Sequence, residues 1–271
     1  MNLLERRMVD ALKDLKENHC VAGIKAEFEA EGTRLEEVLR LKEIVLKAGL
    51  GLTIKIGGCE ALRDMYECRV IGVDRIVAPM VESPYALRKF LAATKLAYPE
   101  EERGTVILAV NVETKISCDN FDAMLALPEI GELNSVVLGR GDLSCSLGLT
   151  RDDINCRQVF ELSREVLVKA KKLRMQTVIG GGVSAMSLPF FRELPAGCLD
   201  LYETRKVMFQ CPGALEKNAG DGILKAVGFE LLWLKNKRDF YSLISTEDAQ
   251  RIVALESRYK ASIEAAGGKY E

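Results

Sequence analysis

Residues 106–148 read VILAVNVETKISCDNFDAMLALPEIGELNSVVLGRGDLSCSLG. Two apolar runs, 106–112 and 135–138, each stop at a polar cluster. Asn111, Glu113 and Thr114 end the first, and Gly139-Arg140-Gly141-Asp142 follows the second. Between them, residues 116–127 have helical spacing, closed by Pro128 and Gly131. A strand–helix–strand crossover makes its two strands parallel, so Glu113 and Asp142 come to one sheet edge. Two carboxylates converging there suit a hard divalent cation such as Mg²⁺, which takes one or two carboxylates and keeps sites for water and substrate. Gly139 and Gly141 let backbone approach a ligand. Leu143-Ser144-Cys145-Ser146 then offers N–H groups and hydroxyls to an anion. Either carboxylate alone reads equally well as a strand-end or capping residue; the pair carries the metal reading.

The same alternation continues on both sides. Upstream, strands are expected at 20–29, 50–56 and 75–79, separated by helices at 34–47, 60–71 and 84–96. Downstream come a helix at 154–173, a strand at 176–179, a helix at 186–194 and a strand at 198–202. Continuously apolar strands alternating with helices predict a parallel sheet covered by helices. Polar residues bunch after every strand, which fits the C-terminal face of a TIM-like (β/α) barrel, where such folds keep their sites. Seven strands are legible, and a (β/α)₈ barrel needs an eighth. A doubly wound open sheet would need a Gly-rich phosphate turn, for which Gly180-Gly181-Gly182 lacks the full spacing. An N-terminal amphipathic helix precedes the barrel. From about residue 212 a helical tail follows, with helices at 221–237 and 246–265, and no linker splits the 271 residues into further domains. The apolar cluster Phe229, Leu231, Leu232, Trp233 and Leu234 in that tail predicts a homo-oligomer interface.

Composition narrows the function. Hydrophobic residues make up 48 % and the formal net charge is −2, so a real core is expected and nothing invites a polyanion such as nucleic acid. No apolar run approaches the ~20 residues of a membrane span, and the charged N-terminus lacks a signal-peptide core, which predicts a cytoplasmic protein. Eight cysteines contain no C-x-x-C pair, against zinc-ribbon or thioredoxin-type chemistry. The single histidine, His19, precedes the first strand, which leaves little room for Ser–His or Cys–His catalysis.

The pieces N-V-E-T (111–114) and G-R-G-D-L-S-C-S-L-G (139–148) resemble the metal-binding stretches of the HpcH/HpaI aldolase/citrate lyase family, a strand ending in x-E-T or x-E-S and then G-P-G-D-L-S-x-S-L-G. More loosely the resemblance spans residues 21–209. It implies a barrel holding Mg²⁺ (or Mn²⁺) through Glu113 and Asp142, with backbone N–H groups of Gly141, Asp142 and Leu143 on the substrate's carboxylate.

Lys55 shares a strand face with Thr53, opposite Ile54 and Ile56. A lysine in an apolar strand is costly unless its charge is used. The resemblance places Lys55 where the family has an arginine that holds the enolate oxygen; lysine keeps the charge and loses the two-pronged geometry. A structural ion pair with Glu113 or Glu82 is the alternative. Lys25 is a second cation of the same kind. Glu27 and Glu29, two apart, are expected on one strand face. Glu27-Phe28-Glu29 resembles the D-L-E of the citrate-lyase branch, whereas the aldolase branch carries D-G-E-H with a catalytic histidine. This chain has none there, which leaves Glu29 or a water to move the proton. Glu82, Arg205 and Lys206 are rim candidates. The expected activity is a metal-dependent carbon–carbon lyase (an aldolase) joining or parting the enolate of pyruvate or a related 2-oxo acid and an aldehyde. An acyl-CoA lyase of the malyl/citryl type and a non-catalytic oxo-acid-binding barrel are the alternatives.

Overall fold

A computed structural model describes residues 1–268; the last three positions of the expected 1–271 domain lie outside the described residues. Eight strands close a barrel in sequence order. They are β1 (Val21–Glu27), β2 (Gly51–Lys55), β3 (Arg75–Ala78), β4 (Ile107–Val112), β5 (Ser135–Gly139), β6 (Gln176–Gly180), β7 (Leu201–Glu203) and β8 (Val207–Gln210). From β1 to β7 neighbours run parallel. Helices on the outside cover the strands: α1 (Leu3–His19), α2 (Leu35–Lys47), α3 (Leu62–Ile71), α4 (Pro84–Ala97), α5 (Lys115–Asp119), α6 (Phe121–Leu125), α7 (Arg140–Ser146), α8 (Arg157–Lys172), α9 (Leu188–Glu193) and α10 (Ala219–Ala265).

The missing eighth strand is β8, and it runs antiparallel to both β7 and β1. It was hidden because it is four residues long and follows β7 through a three-residue turn, with no helix between them. Thr204 holds that turn: its N–H donates to the Val207 carbonyl at 2.9 Å, and its Oγ1 accepts from the Val207 N–H at 3.1 Å. Outside the hairpin, Phe191, Tyr202 and Phe209 stack in a column with centroids 5.1 and 4.9 Å apart, filling the space a crossover helix would take.

Side chains alternate along the strands, so every second residue enters the barrel. Arg75, Ser135 and Gln176 close its bottom, with Arg75 donating to both partners. Val77, Ala109, Val137, Val178, Leu201 and Met208 form an apolar middle layer. The top layer is charged. Lys25 pairs in register with Thr53, and Glu27 with Lys55.

Three expected elements need correction. The crossover helix at 116–127 is two short helices, α5 and α6, broken at Asn120, whose side chain turns away to donate to the Glu82 carbonyl. The two tail helices are one 47-residue helix, α10, about 70 Å long at 1.5 Å per residue. And β1 ends at Glu27, two residues early, because the chain turns over residues 28–31 and the Glu27 carbonyl accepts from the Thr33 N–H at 3.2 Å.

The first half of α10 runs antiparallel to α1, from Asn218 beside Asn18 to Asn236 beside Asn2. Gly222 makes the close approach possible: a Cβ there would stand 3.0–3.1 Å from His19. His19 is thus a buried packing residue below the barrel. Phe229 and Trp233 are buried against the chain's own barrel, while Leu231 and Leu234 on the same segment are about half exposed. Among the described residues no helix is long and apolar enough to cross a membrane. Phe229→Ala should cost about 3–5 kcal/mol in urea unfolding, whereas Leu224→Ala, on the exposed face, should be close to neutral.

Candidate active site

The strand ends bring two groups of charged side chains to the barrel mouth. In the first, Lys55 at the end of β2 lies 3.1 Å from Glu29 and 3.6 Å from Glu113. Glu113, just past β4, is 2 % exposed. Its Oε1 accepts from the Met80 N–H at 3.0 Å and its Oε2 from the Asn111 amide at 2.7 Å. Met80 presents that N–H from a left-handed conformation, φ +49°. Gly139 gives Glu113 its place: a Cβ on Gly139 would fall 2.7 Å from both the Cβ and Oε2 of Glu113. Asp142, half-buried in α7, stands close enough for its charge to act on Glu113.

In the second group, buried Lys25 donates to Glu203 Oε1 at 2.5 Å and lies 3.2 Å from Glu27. Arg205, on the β7–β8 turn, reaches Glu31 at 3.2 Å and Glu27 at 3.8 Å. Lys206 beside it is buried and ion-paired with Glu31. Both rim cations are therefore committed to carboxylates. Glu82 is held by the Thr114 hydroxyl at 2.7 Å, further out.

Glu27 and Glu29 do not share a strand face as expected. The chain bends after Glu27, so Glu27 meets Lys25 and Glu29 meets Lys55. Leu143 has its side chain in the core, so only its main chain is available to a ligand. Sequence reasoning left Glu31 and Met80 unassigned. Asn111, two residues before Glu113 on the same strand face, had a legible signal; the Met80 N–H had none.

Charge balance bears on whether these residues fit a metal ion. Glu27, Glu29, Glu31, Glu113, Asp142 and Glu203 outnumber Lys25, Lys55, Arg205 and Lys206 by two. Buried Asn111 Oδ1 and Glu203 Oε2 have no hydrogen-bond partner among the described residues. Among the described residues no group of three or more His, Cys, Asp or Glu is placed to hold a metal. Two carboxylates, Glu113 and Asp142, would be chemically sufficient for Mg²⁺, an ion that keeps most of its coordination for water and substrate.

Burial pushes the Glu113 carboxyl above the usual range, and the Asp142 charge adds to this, against the opposing pull of Lys55, Met80 and Asn111. For Lys55, burial acts downward but Glu113, Glu29 and Glu27 outweigh it, so its ammonium is held above the usual lysine value. Lys25 behaves alike: burial is outweighed by Glu203 and Glu27.

The chain's own sequence agrees with the geometry over a definite stretch. Residues 60–181 match the family model of HpcH/HpaI aldolase/citrate lyase. This stretch is similar to the sequences of that family. It contains Glu113 and Asp142 and is shorter than the expected 21–209; Lys25, Lys55 and Glu203 lie outside it. The fold agrees across most of the chain. An HpcH/HpaI aldolase from Desulfitobacterium hafniense DCB-2 superposes with TM-score 0.58 at 16 % identity, over 75 % of this chain and 84 % of that one. An HpcH/HpaI aldolase/citrate lyase family protein from Burkholderia cenocepacia J2315 gives 0.58 at 15 % identity, over 94 % and 100 %. Citrate synthase SbnG gives 0.55 at 14 % identity, over 86 % and 90 %. A search of curated proteins found no match. A family of aldolases and citrate lyases points to lyase-type chemistry for this chain.

Protons would compete with any cation held by Glu113. Because its carboxyl is raised, Mg²⁺ affinity should start to fall at a higher pH than for an ordinary carboxylate site, and should be full above that range. Calorimetric titration of Mg²⁺ at stepped pH checks this; affinity flat down to the usual carboxylate range would contradict it.

Proposed function

We propose that the chain is a metal-dependent carbon–carbon lyase of the aldolase type, acting on the bond between a pyruvate-like 2-oxo acid and an aldehyde. The observation that carries the reading is buried Glu113, ion-paired with Lys55 and within electrostatic reach of Asp142 at the mouth of the barrel. Glu113 and Asp142 would hold Mg²⁺ (or Mn²⁺), which supplies Lewis-acid stabilisation to the oxygens of a 2-oxo acid.

The protein's own groups do the rest. N–H groups of Gly141, Asp142 and Leu143 receive the substrate carboxylate. The Lys55 ammonium faces the keto oxygen, where negative charge develops as the C–C bond breaks, and a fixed positive charge in a buried site stabilises that change more than it would in water. Glu29 takes the hydroxyl proton of the leaving aldehyde and returns a proton to the methylene carbon of the enolate, so no net proton is consumed. Arg205 and Lys206, ion-paired with Glu31 and Glu27, favour an uncharged acceptor over the phosphate-bearing tail of a CoA ester. SbnG, of the same fold, is a citrate synthase, so both bond-making and bond-breaking directions belong in the assay.

Glu113→Gln and Asp142→Asn should each reduce metal-dependent turnover of pyruvate with a panel of aldehydes by a factor of about 10² or more, as loss of a charge-stabilising group does, with circular dichroism unchanged. Wild-type turnover in both would sink the metal assignment. Lys55, kept protonated, is an electrostatic residue and not an imine former. EDTA should stop the reaction, and borohydride with pyruvate should leave no adduct on Lys55; the reverse pair of results would replace this mechanism with Schiff-base chemistry.

The protein is also proposed to be a homo-oligomer. Leu231, Leu234, Leu243, Ile252 and Leu255 are each more than half exposed along α10, far beyond what scattered surface residues need. Light scattering at micromolar concentration should give a multiple of 30.0 kDa; a clean monomer would remove this part of the reading.

A further inference from the structure

Arg140 is fully buried, 0 % exposed, and has no ion pair with a carboxylate among the described residues. Removing a guanidinium from water without a counter-charge is costly, and an apolar side chain of similar size would fill the space more cheaply. What the guanidinium holds is therefore informative. Nε donates to the Gly180 carbonyl at 3.3 Å, and Nη2 to the Gly181 carbonyl at 3.0 Å and Ser187 Oγ at 3.1 Å. Nη1 donates to Asn155 Oδ1 at 2.7 Å. The plane lies over Phe190 and Phe191 at 5.0 and 4.9 Å.

The gripped carbonyls belong to the last residue of β6 and the one after it. There the backbone is pressed onto the turn that leads into α7. A Cβ on Gly181, φ +82°, would meet the Gly141 nitrogen at 2.4 Å and the Arg140 nitrogen at 2.8 Å. The same loop bears on the other half of the mouth, since a Cβ on Gly180 would stand 3.0 Å from Glu203 Oε1. Residues 180–182 are thus a wall shared by the Asp142 turn and the Glu203–Lys25 pair.

We propose that Arg140 is a positioning residue. Its side chain clamps the 180–182 loop against residues 140–142 and so fixes the N–H groups of 141–143 where the 2-oxo acid's carboxylate binds. Arg140 itself touches no substrate; it acts through Gly181. The proposal rests on the function proposed above.

The test uses the full chain with Mg²⁺ alone, and then Mg²⁺ with oxalate, as probes. Calorimetry reads affinity, and hydrogen exchange reads the local clamp. Arg140→Met should weaken oxalate binding by about tenfold or more while Mg²⁺ affinity changes by about twofold at most. Amide exchange should accelerate in 139–146 and 180–184 and stay slow in β1–β5. Arg140→Lys, which keeps charge and loses the fork, should fall between wild type and Arg140→Met in both readouts. Unchanged oxalate affinity in Arg140→Met overturns the proposal. So does parallel loss of Mg²⁺ and oxalate affinity with faster exchange through the whole barrel, which would mark Arg140 as a general structural residue. If wild type itself binds no oxalate with Mg²⁺, the proposed function fails. The clamp is then judged by exchange alone, and unchanged exchange in 180–184 overturns it.

Discussion

Everything at the mouth of this barrel depends on the confinement of one carboxylate. Glu113 is buried, and burial of a charge is tolerated only when it is paired and hydrogen-bonded. Here Lys55, the Met80 N–H and the Asn111 amide share that task, and Gly139 clears the space by having no Cβ. The left-handed turn at Met80 is a local cost tied to the same end, because it aims the N–H at Glu113. With Glu113 fixed, Lys55 is fixed, and with Lys55 its second partner Glu29.

The hairpin that closes the barrel sets the rest of the charge pattern. A parallel eighth strand would enter from below and leave the β7 loop free. The antiparallel β8 instead carries the Thr204-Arg205-Lys206 turn directly over the mouth, where its cations meet Glu31 and Glu27. The mouth is left with more carboxylate than cation. That imbalance suits a divalent ion and discourages an anionic acceptor.

Much of the architecture was legible from period and spacing. The crossover over 106–148 placed Glu113 and Asp142 at one edge, and the alternation around Thr53 and Lys55 placed a lysine inside the barrel. What was not legible came from contacts distant in sequence or from elements too short to show a period. β8 offers four residues. Residues 238–245, Arg-Asp-Phe-Tyr-Ser-Leu-Ile-Ser, carry two serines and an aspartate that read as a helix break, yet α10 runs straight through them. The parting of Glu27 from Glu29 depends on the turn over 28–31, closed by the Thr33 N–H on the Glu27 carbonyl. Arg140 finds its partners 40 and 47 residues further on, so the local Gly-Arg-Gly-Asp gave no sign of a clamp.

The central claim is that Glu113 and Asp142 together bind a divalent cation that a 2-oxo acid shares, beside Lys55. A crystal soaked with Mn²⁺ and oxalate, measured for anomalous scattering, tests it most directly. The account predicts a Mn²⁺ peak between the two carboxylates and an oxalate oxygen facing the Lys55 ammonium. Mn²⁺ bound elsewhere, or oxalate seated in the mouth without it, would contradict the claim.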